Sequence, residues 1–201
     1  MKYLVIANPT SRRGKSAEQI PVIEEKLREY ALDFDLVRTQ KAGHAIQLAS
    51  QAATDGYDVV IAAGGDGTIN EVVNGLMLAR KTEQHQPALG IISIGTGNDL
   101  IVGLEQEQGV DPACKLIVEN NRRKIDVGHL VADEVPEGRF FANGVGIGFD
   151  AAGGVLAEKI TWPRGFLAYL IAALQNIFLY YTAPTLKMDI DGEIIEMPSL
   201  L

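Results

Sequence analysis

Residues Val59 to Leu76 read VVIAAGGDGTINEVVNGL. The opening run VVIAA is apolar and rich in β-branched residues, which predicts a buried strand. In the closing run INEVVNGL the apolar residues recur every three or four positions and so share one face of a helix. Glycines interrupted by a single carboxylate, that of Asp66, connect the two. A strand that turns through glycines into an amphipathic helix is typical of an α/β domain.

The same alternation extends through the first half of the chain. Strand-like segments lie near residues 3–7, 34–38, 59–63 and 90–94, and helical patterns near residues 16–30, 44–54, 68–80 and 112–119. We expect Ser16 to cap the first helix. Regular alternation of strands and helices implies right-handed crossovers and a parallel sheet with helices on both faces. The sequence therefore predicts an α/β domain over residues 1–124.

The second half, residues 125–201, has a different pattern. RKIDVGHLVAD and GRFFANGVGIGFD predict two strands joined by a Pro/Gly turn, and LKMDIDGEIIEMPSLL predicts a strand, an Asp-Gly turn and the start of another strand. Between them, the apolar run of residues 165–181 predicts a helix that carries Gln175 and Asn176 well inside it. We expect a buried or lipid-facing helix and not a membrane span. We interpret this half as an incomplete β-rich domain with an apolar helix.

Composition restricts the classes of function. The net charge of -8 argues against nucleic-acid binding, because neutralising phosphates requires a basic face. Two local basic clusters, RRGK at residues 12–15 and RRK at residues 122–124, remain compatible with an anion site. The single cysteine, Cys114, cannot form an internal disulfide, and the N-terminal residues lack a signal-peptide pattern. A cytoplasmic protein is the expectation.

Three polar loops follow predicted strands. They read NPTSRRGKS after the first strand, GGDGT after the third and GTGND after the fourth. The carboxyl ends of parallel strands lie at one edge of a sheet, where α/β proteins bind their ligands. Glycines in such loops let backbone N–H groups approach an anion, and the N-terminus of a following helix favours negative charge. Together the loops predict a phosphate site.

Asp66 is the informative residue of these loops. A carboxylate beside phosphate-binding amides repels a nucleotide unless it holds a cation, orients a hydroxyl or accepts a proton. Mg²⁺ binding or general-base work explains Asp66, and an Asx-type turn is the alternative. Asp99, in GTGND, stands at a predicted helix start, where capping alone can explain it. Its expected position near Asp66 makes it a second candidate catalytic residue.

NPTSRRGK, GGDGTINEVVNGL and GTGNDL, in this order and at this spacing, resemble the catalytic domain of the diacylglycerol kinase and sphingosine kinase family, especially soluble bacterial lipid kinases. The resemblance covers residues 3–131 strongly and continues more loosely through NGVGIGFDA and PRGFLAYLIAAL. GGDGT also occurs in NAD kinases, and a related loop occurs in phosphofructokinases. These share the α/β nucleotide-binding architecture that the resemblance implies here.

The resemblance implies transfer of the γ-phosphoryl group of ATP, with Mg²⁺, to the hydroxyl of a diacylglycerol-like or sphingoid lipid. Asp66 matches the aspartate that the family assigns to the Mg-nucleotide network or to activation of the acceptor hydroxyl. We therefore name Asp66 and Asp99 as catalytic candidates and Asp66 as the metal ligand, through Mg-ATP. The nucleotide-binding positions carried over are Asn8, Pro9, Thr10, Ser11, Arg12, Thr39, Gly64, Gly65, Asp66, Gly67, Thr68, Ile69, Asn70 and Thr96.

The chain departs from the family pattern in two respects. Arg12 stands where the family commonly has glycine, so the first loop carries a bulky cation that either clamps or obstructs the phosphates. Bacterial members also continue further, and the continuation supplies the rest of the β-rich domain, a structural Mg²⁺ site and a late Asp-Gly-Glu segment credited with the catalytic base. The DGE at residues 191–193 stands too early, and we expect a hairpin turn there. A C-terminally truncated family member is the expectation.

Three functions follow as hypotheses. The first is a lipid kinase that contacts the inner membrane surface peripherally and transiently, with the region from Trp162 to Tyr181 helping to form an apolar acceptor side. The second is a non-catalytic nucleotide-binding or regulatory relative. The third is a soluble-substrate kinase of the NAD kinase type, which leaves GFLAYLIAAL unexplained. Unfinished strands make a homo-oligomer a further expectation.

Overall fold

A parallel sheet lies at the centre of the N-terminal part of the chain. The structure is a computed structural model that describes residues 1–82, 85–133, 135–146, 151, 166–175, 177 and 185–198. The four strands of the sheet are β1 (Tyr3–Ala7), β2 (Phe34–Arg38), β3 (Val59–Gly64) and β4 (Ala88–Ser93). They pair in parallel in the order β2-β1-β3-β4.

Helices follow the strands as the sequence predicts. A 3₁₀ helix (Ser11–Glu18) precedes α1 (Gln19–Glu29), and the other helices of this part are α2 (His44–Thr54), α3 (Asp66–Ala79), α4 (Asp99–Gly103) and α5 (Val110–Glu119). The predicted bounds of β1, β2 and α2 agree with the structure, and the other elements shift by a few residues. The α/β fold is confirmed.

The core has two layers, one on each face of the sheet. Successive side chains of a strand point to opposite faces, so β1 contributes Leu4 and Ile6 to one layer and Val5 to the other. The first layer contains the apolar faces of α2 and α3, and the second contains those of α1 and α5. The predicted packing of helices on both faces follows from this alternation.

Cys114 lies fully buried in the second layer. Burial raises the pKa of its thiol to about 11, with a smaller contribution from the charge of Asp111. The thiol is therefore protonated at neutral pH and packs as a small apolar side chain.

The predicted cap at Ser16 is wrong. Ser16 lies inside the 3₁₀ helix and is fully buried, and α1 begins three residues later at Gln19. Its hydroxyl donates a hydrogen bond of 3.0 Å to the carbonyl of Ile94, just after β4. A buried hydroxyl needs such a partner. Ser16 therefore fastens the segment after β1 to the segment after β4.

The antiparallel strands β5 (Gly128–Ala132) and β6 (Val135–Phe141) follow, as predicted. The predicted Pro/Gly turn between them is misplaced, because Pro136 and Gly138 lie within β6. Leu130 pairs with Arg139 and Ala132 with Val135, so the longer stretch of β6 bulges against β5. Gly138 has a φ of 80°, which suits the bulge.

The chain divides into two compact units, Met1–Asn143 and Gly144–Leu201. β5 and β6 fall in the first unit, and the domain boundary after Lys124 stays a prediction. In the second unit the structure describes α6 (Phe166–Gln175) and the hairpin of β7 (Thr185–Ile190) and β8 (Glu193–Pro198).

The hairpin turn at residues 191–193 is confirmed. Asp191 and Gly192 both have positive φ, of 52° and 93°, which is the geometry of a tight two-residue hairpin turn. Gly192 N also donates to the Asp189 carboxylate at 2.8 Å.

Some of the predicted features lie outside the described residues. They are residues 147–150, residues 152–165 with Trp162 among them, and much of the predicted helix after residue 175. Among the helices that the structure does describe, none has the length and apolar character needed to cross a membrane.

Candidate functional site

The polar loops meet at the carboxyl edge of the sheet. β1 and β3 are neighbours, and Ala7 at the end of β1 pairs with Ala63 near the end of β3. From β1 the chain moves to one side to form β2 and then crosses to the other side to form β3. Such a reversal opens a crevice at the ends of the two central strands, where doubly wound proteins bind ligands. The loops after β1 and β3 border this crevice.

Asn8 joins the first loop to the start of α3. Its backbone N–H donates to the carbonyl of Ala63 at 2.9 Å, and its side-chain Nδ2 donates to Thr68 Oγ1 at 2.9 Å. Its Oδ1 accepts from the backbone N–H and the hydroxyl of Thr10, at 2.9 and 2.8 Å. The amide of Asn8 is thus an organiser of the loop, and it fixes where Pro9 and Thr10 stand.

Asp66 joins the loop after β3 to the loop after β4. It is the first residue of α3, half-buried, and its Oδ2 accepts from Asn98 N at 2.8 Å. Its Oδ1 lies 3.4 Å from Leu100 N, a longer bond of the same kind. The carboxylate therefore bridges the ends of β3 and β4. Its orientation is fixed by backbone groups, and each oxygen keeps a free lone pair.

Asp99 lies beside Asp66, as the sequence predicts. A Cβ built on Gly97 would stand 3.0 Å from Asp66 Oδ2 and 3.4 Å from Asp99 Oδ1, so both carboxylates flank this glycine. Asp99 is exposed at the first position of α4. The two acidic groups thus border a single patch of the edge.

The loops after β3 and β4 touch through glycines. A methyl group on Gly95 would overlap Gly65 Cα, so the loop after β4 has no room for a side chain at Gly95, and a Cβ on Gly65 would lie a tight 3.2 Å from Gly95 Cα. A Cβ added to Gly64 would likewise overlap the side chain of Thr68, whereas a Cβ added to Gly67 would meet open space. The open space at Gly67 lies at the N-terminus of α3, where an anion can approach the backbone.

Asn98 is a site residue that the sequence interpretation missed. It caps α4 in the left-handed conformation, with a φ of 61°, and its Oδ1 accepts a hydrogen bond from the hydroxyl of Ser93. Asparagine tolerates this conformation better than most residues. The Gly-x-Gly-Asn run at residues 95–98 is the sequence feature that indicates this role, because such a run is typical of a turn with positive φ.

Thr39 and Thr96 stand at the ends of the flanking strands β2 and β4. The backbone N–H of Thr39 donates to Ala7 O at 2.8 Å, which ties the end of β2 to the end of β1. Thr96 is exposed. Within the part of the chain that is described, neither hydroxyl bonds to another protein group, and the nucleotide role of both residues stays a prediction.

Two predicted nucleotide-binding residues point elsewhere. The side chain of Ile69 is buried in the core, so only its backbone can face a ligand. The side chain of Asn70 contacts β6: its Nδ2 donates to Phe140 O at 3.1 Å and its Oδ1 accepts from Arg139 at 3.1 and 3.2 Å. Their nucleotide role stays a prediction, and for their side chains the geometry shows a structural one.

Asn74 completes the attachment of β6 to α3. Its Nδ2 donates to Phe140 O at 2.8 Å, and its Oδ1 accepts from Phe140 N at 2.9 Å. The Asn74 side chain therefore bonds to both the N–H and the C=O of Phe140, as a neighbouring strand would in a sheet. Asn74 and Phe140 are both buried, so these bonds are shielded from water.

Replacing Asn74 with Ala should lower the free energy of unfolding by about 1–3 kcal/mol, because Phe140 N would be a buried donor without a partner. Urea unfolding of the chain measures the loss. Asn70→Ala is the matched control, and it should cost less because Phe140 keeps both bonds to Asn74. An equal or larger loss in Asn70→Ala would contradict the role assigned to Asn74.

The rest of the NEVVNG motif is also structural. Glu71 accepts hydrogen bonds from Gly43 N at 2.9 Å and Ala45 N at 3.2 Å, which caps the N-terminus of α2. A methyl group on Gly75 would overlap the Ile46 carbonyl, so glycine permits the close approach of α2 and α3. The motif thus holds α2, α3 and β6 together behind the loops.

Arg12 has a φ of 49°, in the left-handed region that glycine adopts without strain. Its side chain is exposed. The conformation explains why a glycine would suit this position and why the cation there carries a conformational cost.

Arg12→Gly should raise the free energy of unfolding by about 0.5–1 kcal/mol, since relief of the left-handed strain exceeds the added entropy of the unfolded chain. Thermal unfolding of the two proteins measures this gain. Arg12→Ala removes the charge but keeps the strain and should give no gain. Equal stabilisation by Ala and Gly would show that charge repulsion, and not conformation, is the cause.

The residues present fit a Mg-nucleotide. Mg²⁺ is commonly held by one or two carboxylates together with substrate phosphates, and Asp66 and Asp99 supply such a pair at this edge. Within the described ranges no cluster of three or more acidic, histidine or cysteine side chains suits a metal.

The chain is similar to known proteins over most of its length. The family model "Diacylglycerol kinase catalytic domain" matches residues 2–130. Diacylglycerol kinases of two Staphylococcus aureus strains, RF122 and MRSA252, are each 32% identical to the chain over 204 aligned positions, covering 98% of it. The chain spans 59% of the length of these relatives.

Among solved structures, a crystal structure of a diacylglycerol kinase from Bacillus anthracis superposes on the chain with a TM-score of 0.70 at 26% sequence identity. The superposition covers 99% of this chain and 62% of the solved one.

Proposed function

Because the chain belongs to the family defined by the diacylglycerol kinase catalytic domain, we propose that it takes part in transfer of the γ-phosphoryl group of ATP to a lipid hydroxyl. A diacylglycerol-like or sphingoid lipid is the proposed acceptor. The observation that carries the proposal is the junction of loops at the carboxyl edge of the sheet. There Asp66 is held by the amides of Asn98 and Leu100, with Asp99 beside it.

The loops supply what phosphoryl transfer asks of a protein, which is positioning and stabilisation of charge. The N-terminus of α3 at Gly65 and Gly67 offers backbone N–H groups to the phosphates. The hydroxyls of Thr39 and Thr96, on the segments after β2 and β4, would bind the nucleotide from either side of the crevice. Arg12 adds an exposed cation to the first loop.

Asp66 and Asp99 would hold Mg²⁺, which when bound neutralises charge on the phosphates. Of the two roles that the family allows for Asp66, we assign the Mg-nucleotide role. Its carboxylate is clamped by two backbone amides, and a fixed orientation suits a cation ligand. Asp99 is exposed, and its carboxylate and that of Asp66 both lie beside Gly97.

A direct assay tests the proposal. The chain is incubated with labelled ATP, Mg²⁺ and one of three acceptors: dioctanoylglycerol in mixed micelles, sphingosine in mixed micelles, or NAD. Nucleotide binding is measured in parallel by calorimetry. Labelled phosphatidate or sphingosine phosphate is the expected product.

Two other outcomes would replace the proposal. Nucleotide binding without lipid phosphorylation would favour a non-catalytic nucleotide-binding or regulatory relative. Labelled NADP would instead identify a soluble-substrate kinase of the NAD kinase type.

We further propose that the lipid acceptor brings the protein to the inner membrane surface transiently. The net charge of -8 opposes stable adsorption to anionic lipid, so contact should be brief. Homo-oligomer formation and the lack of nucleic-acid binding stay predictions.

A further inference from the structure

A cavity lies in the first unit, and none of the candidate nucleotide-binding residues lines it. Its volume is about 640 Å³, which is within the range of small-molecule sites. α3, β4 and α5 form its apolar walls. The wall residues are Leu76, Met77, Leu89, Ile91, Leu116 and Ile117.

The cavity extends to the amino end of the sheet. Val59 and Ala88, which also line it, are register partners at the amino ends of β3 and β4. The candidate nucleotide loops follow the carboxyl ends of the same strands. The cavity is therefore distinct from the candidate nucleotide site, and a ligand in it would not compete directly with ATP.

The rim of the cavity is basic. Arg80, Arg122, Arg123 and Lys124 line it, whereas none of the described residues that line it is acidic. All four side chains belong to exposed residues, and none of them forms an ion pair within the described residues. This concentration of positive charge is unusual in a chain of net charge -8.

Hydrogen bonds hold two of these cations in place. Arg122 Nε donates to Asn120 Oδ1 at 2.6 Å, and Arg123 Nη2 donates to the carbonyl of Leu104 at 3.0 Å. Asn120 and Leu104 themselves line the cavity. The guanidinium groups are therefore anchored at the mouth, with further N–H donors available.

We propose that this cavity binds an anionic amphiphile, a molecule with one apolar chain and a phosphate or carboxylate head group. The apolar walls suit the chain, and the Arg122–Lys124 rim suits the head group. Charge complementarity favours this ligand over an uncharged lipid. The separation of an apolar interior from a one-sided basic mouth favours it over an extended peptide, which would need alternating pockets along its length.

If the proposed function holds, the product of lipid phosphorylation belongs to this ligand class, and the cavity becomes a place where product binds outside the reaction site. The binding claim itself does not depend on kinase activity. Binding measurements therefore test it independently of the proposed function.

The experiment is a calorimetric titration of the 201-residue chain with dodecyl phosphate kept below its micelle concentration. Saturable binding is expected. The double variant Arg122→Ala/Arg123→Ala should weaken it at least about tenfold, since both head-group contacts are lost. Met77→Trp, which fills the apolar interior, should abolish it. The control Arg28→Ala/Lys187→Ala removes the same charge elsewhere and should change the dissociation constant less than about twofold.

Further titrations distinguish the contributions of the apolar chain, the charged head group and a membrane surface to binding. Dodecyl maltoside, with the same apolar chain and no charge, should bind at least about tenfold more weakly, and inorganic phosphate should not compete. Vesicles of phosphatidylcholine containing phosphatidate test the membrane-borne form of the ligand. Vesicle binding that persists unchanged in Met77→Trp would show surface attraction alone and would overturn the proposal. So would equal loss in the control double variant, or no binding of dodecyl phosphate by a folded chain.

Discussion

Asp66→Asn is expected to lower phosphoryl transfer by about a hundredfold to a thousandfold, the usual cost of removing one preorganised electrostatic group from a reacting site. The substitution keeps the shape of the side chain and removes its charge. Without that charge the edge of the sheet loses one of the two carboxylates that flank Gly97. Turnover with a lipid acceptor, measured at several Mg²⁺ concentrations, gives the size of the loss.

The fold should change little in this variant. An Asn side chain still accepts the hydrogen bond from Asn98 N, and loss of the longer bond to Leu100 N should cost about 1 kcal/mol. Asp33→Asn is the control, because Asp33 is exposed just before β2, at the opposite edge of the sheet. Near-normal turnover in Asp66→Asn would mean that Asp66 is only a turn residue.

Gly95→Ala is expected to disrupt the contact between the loop after β3 and the loop after β4. The added methyl group would overlap Gly65 Cα, and backbone cannot move aside as a flexible side chain can. We expect nucleotide affinity to fall by at least about tenfold and the free energy of unfolding to fall by about 1–3 kcal/mol, as for overpacking in a core. Calorimetric titration with Mg-ATP and urea unfolding measure the two effects.

Gly103→Ala is the matched control for this substitution. A Cβ at Gly103 meets nothing within 4 Å, and the residue lies at the end of α4, outside the predicted nucleotide-binding residues. Its affinity for the nucleotide should equal that of the unchanged chain. If Gly95→Ala also kept full affinity, contact between the two loops would not be needed for the site.

The fold of the first unit could be predicted because its signals are local. β1, β2 and α2 were placed at their observed bounds, since each has a run of apolar or β-branched residues, or a helical period, that no neighbour overrides. The gathering of the loops at one edge followed from the parallel sheet. The two acidic residues were placed side by side for the same reason.

Long-range partners could not be predicted from these patterns. Asp66 is bound by amides more than thirty positions away, and Asn70 and Asn74 are bound to Phe140, 70 and 66 positions away. A sequence motif shows that an amide side chain is present but not which strand it contacts. The motif predicts Asn70 as a nucleotide-binding residue, and only the structure shows that its side chain bonds to β6.

Local competition explains the errors at Ser16 and at the β5–β6 turn. A serine before a helix is a good cap, but a buried carbonyl at Ile94 offers Ser16 Oγ a partner outside its own helix. Pro and Gly usually mark a turn, and in β6 they form a bulge because the strand continues to pair beyond them.

The most direct test of the central claim is amide NMR spectroscopy of the isotope-labelled chain titrated with Mg²⁺ and a non-hydrolysable ATP analogue. The account predicts that the largest shifts fall on residues 8–12, 39, 64–70 and 96 and disappear in Gly95→Ala. Shifts that leave residues 64–70 unaffected, or that concentrate instead at the basic rim of residues 122–124, would contradict a nucleotide site at the carboxyl edge of this sheet.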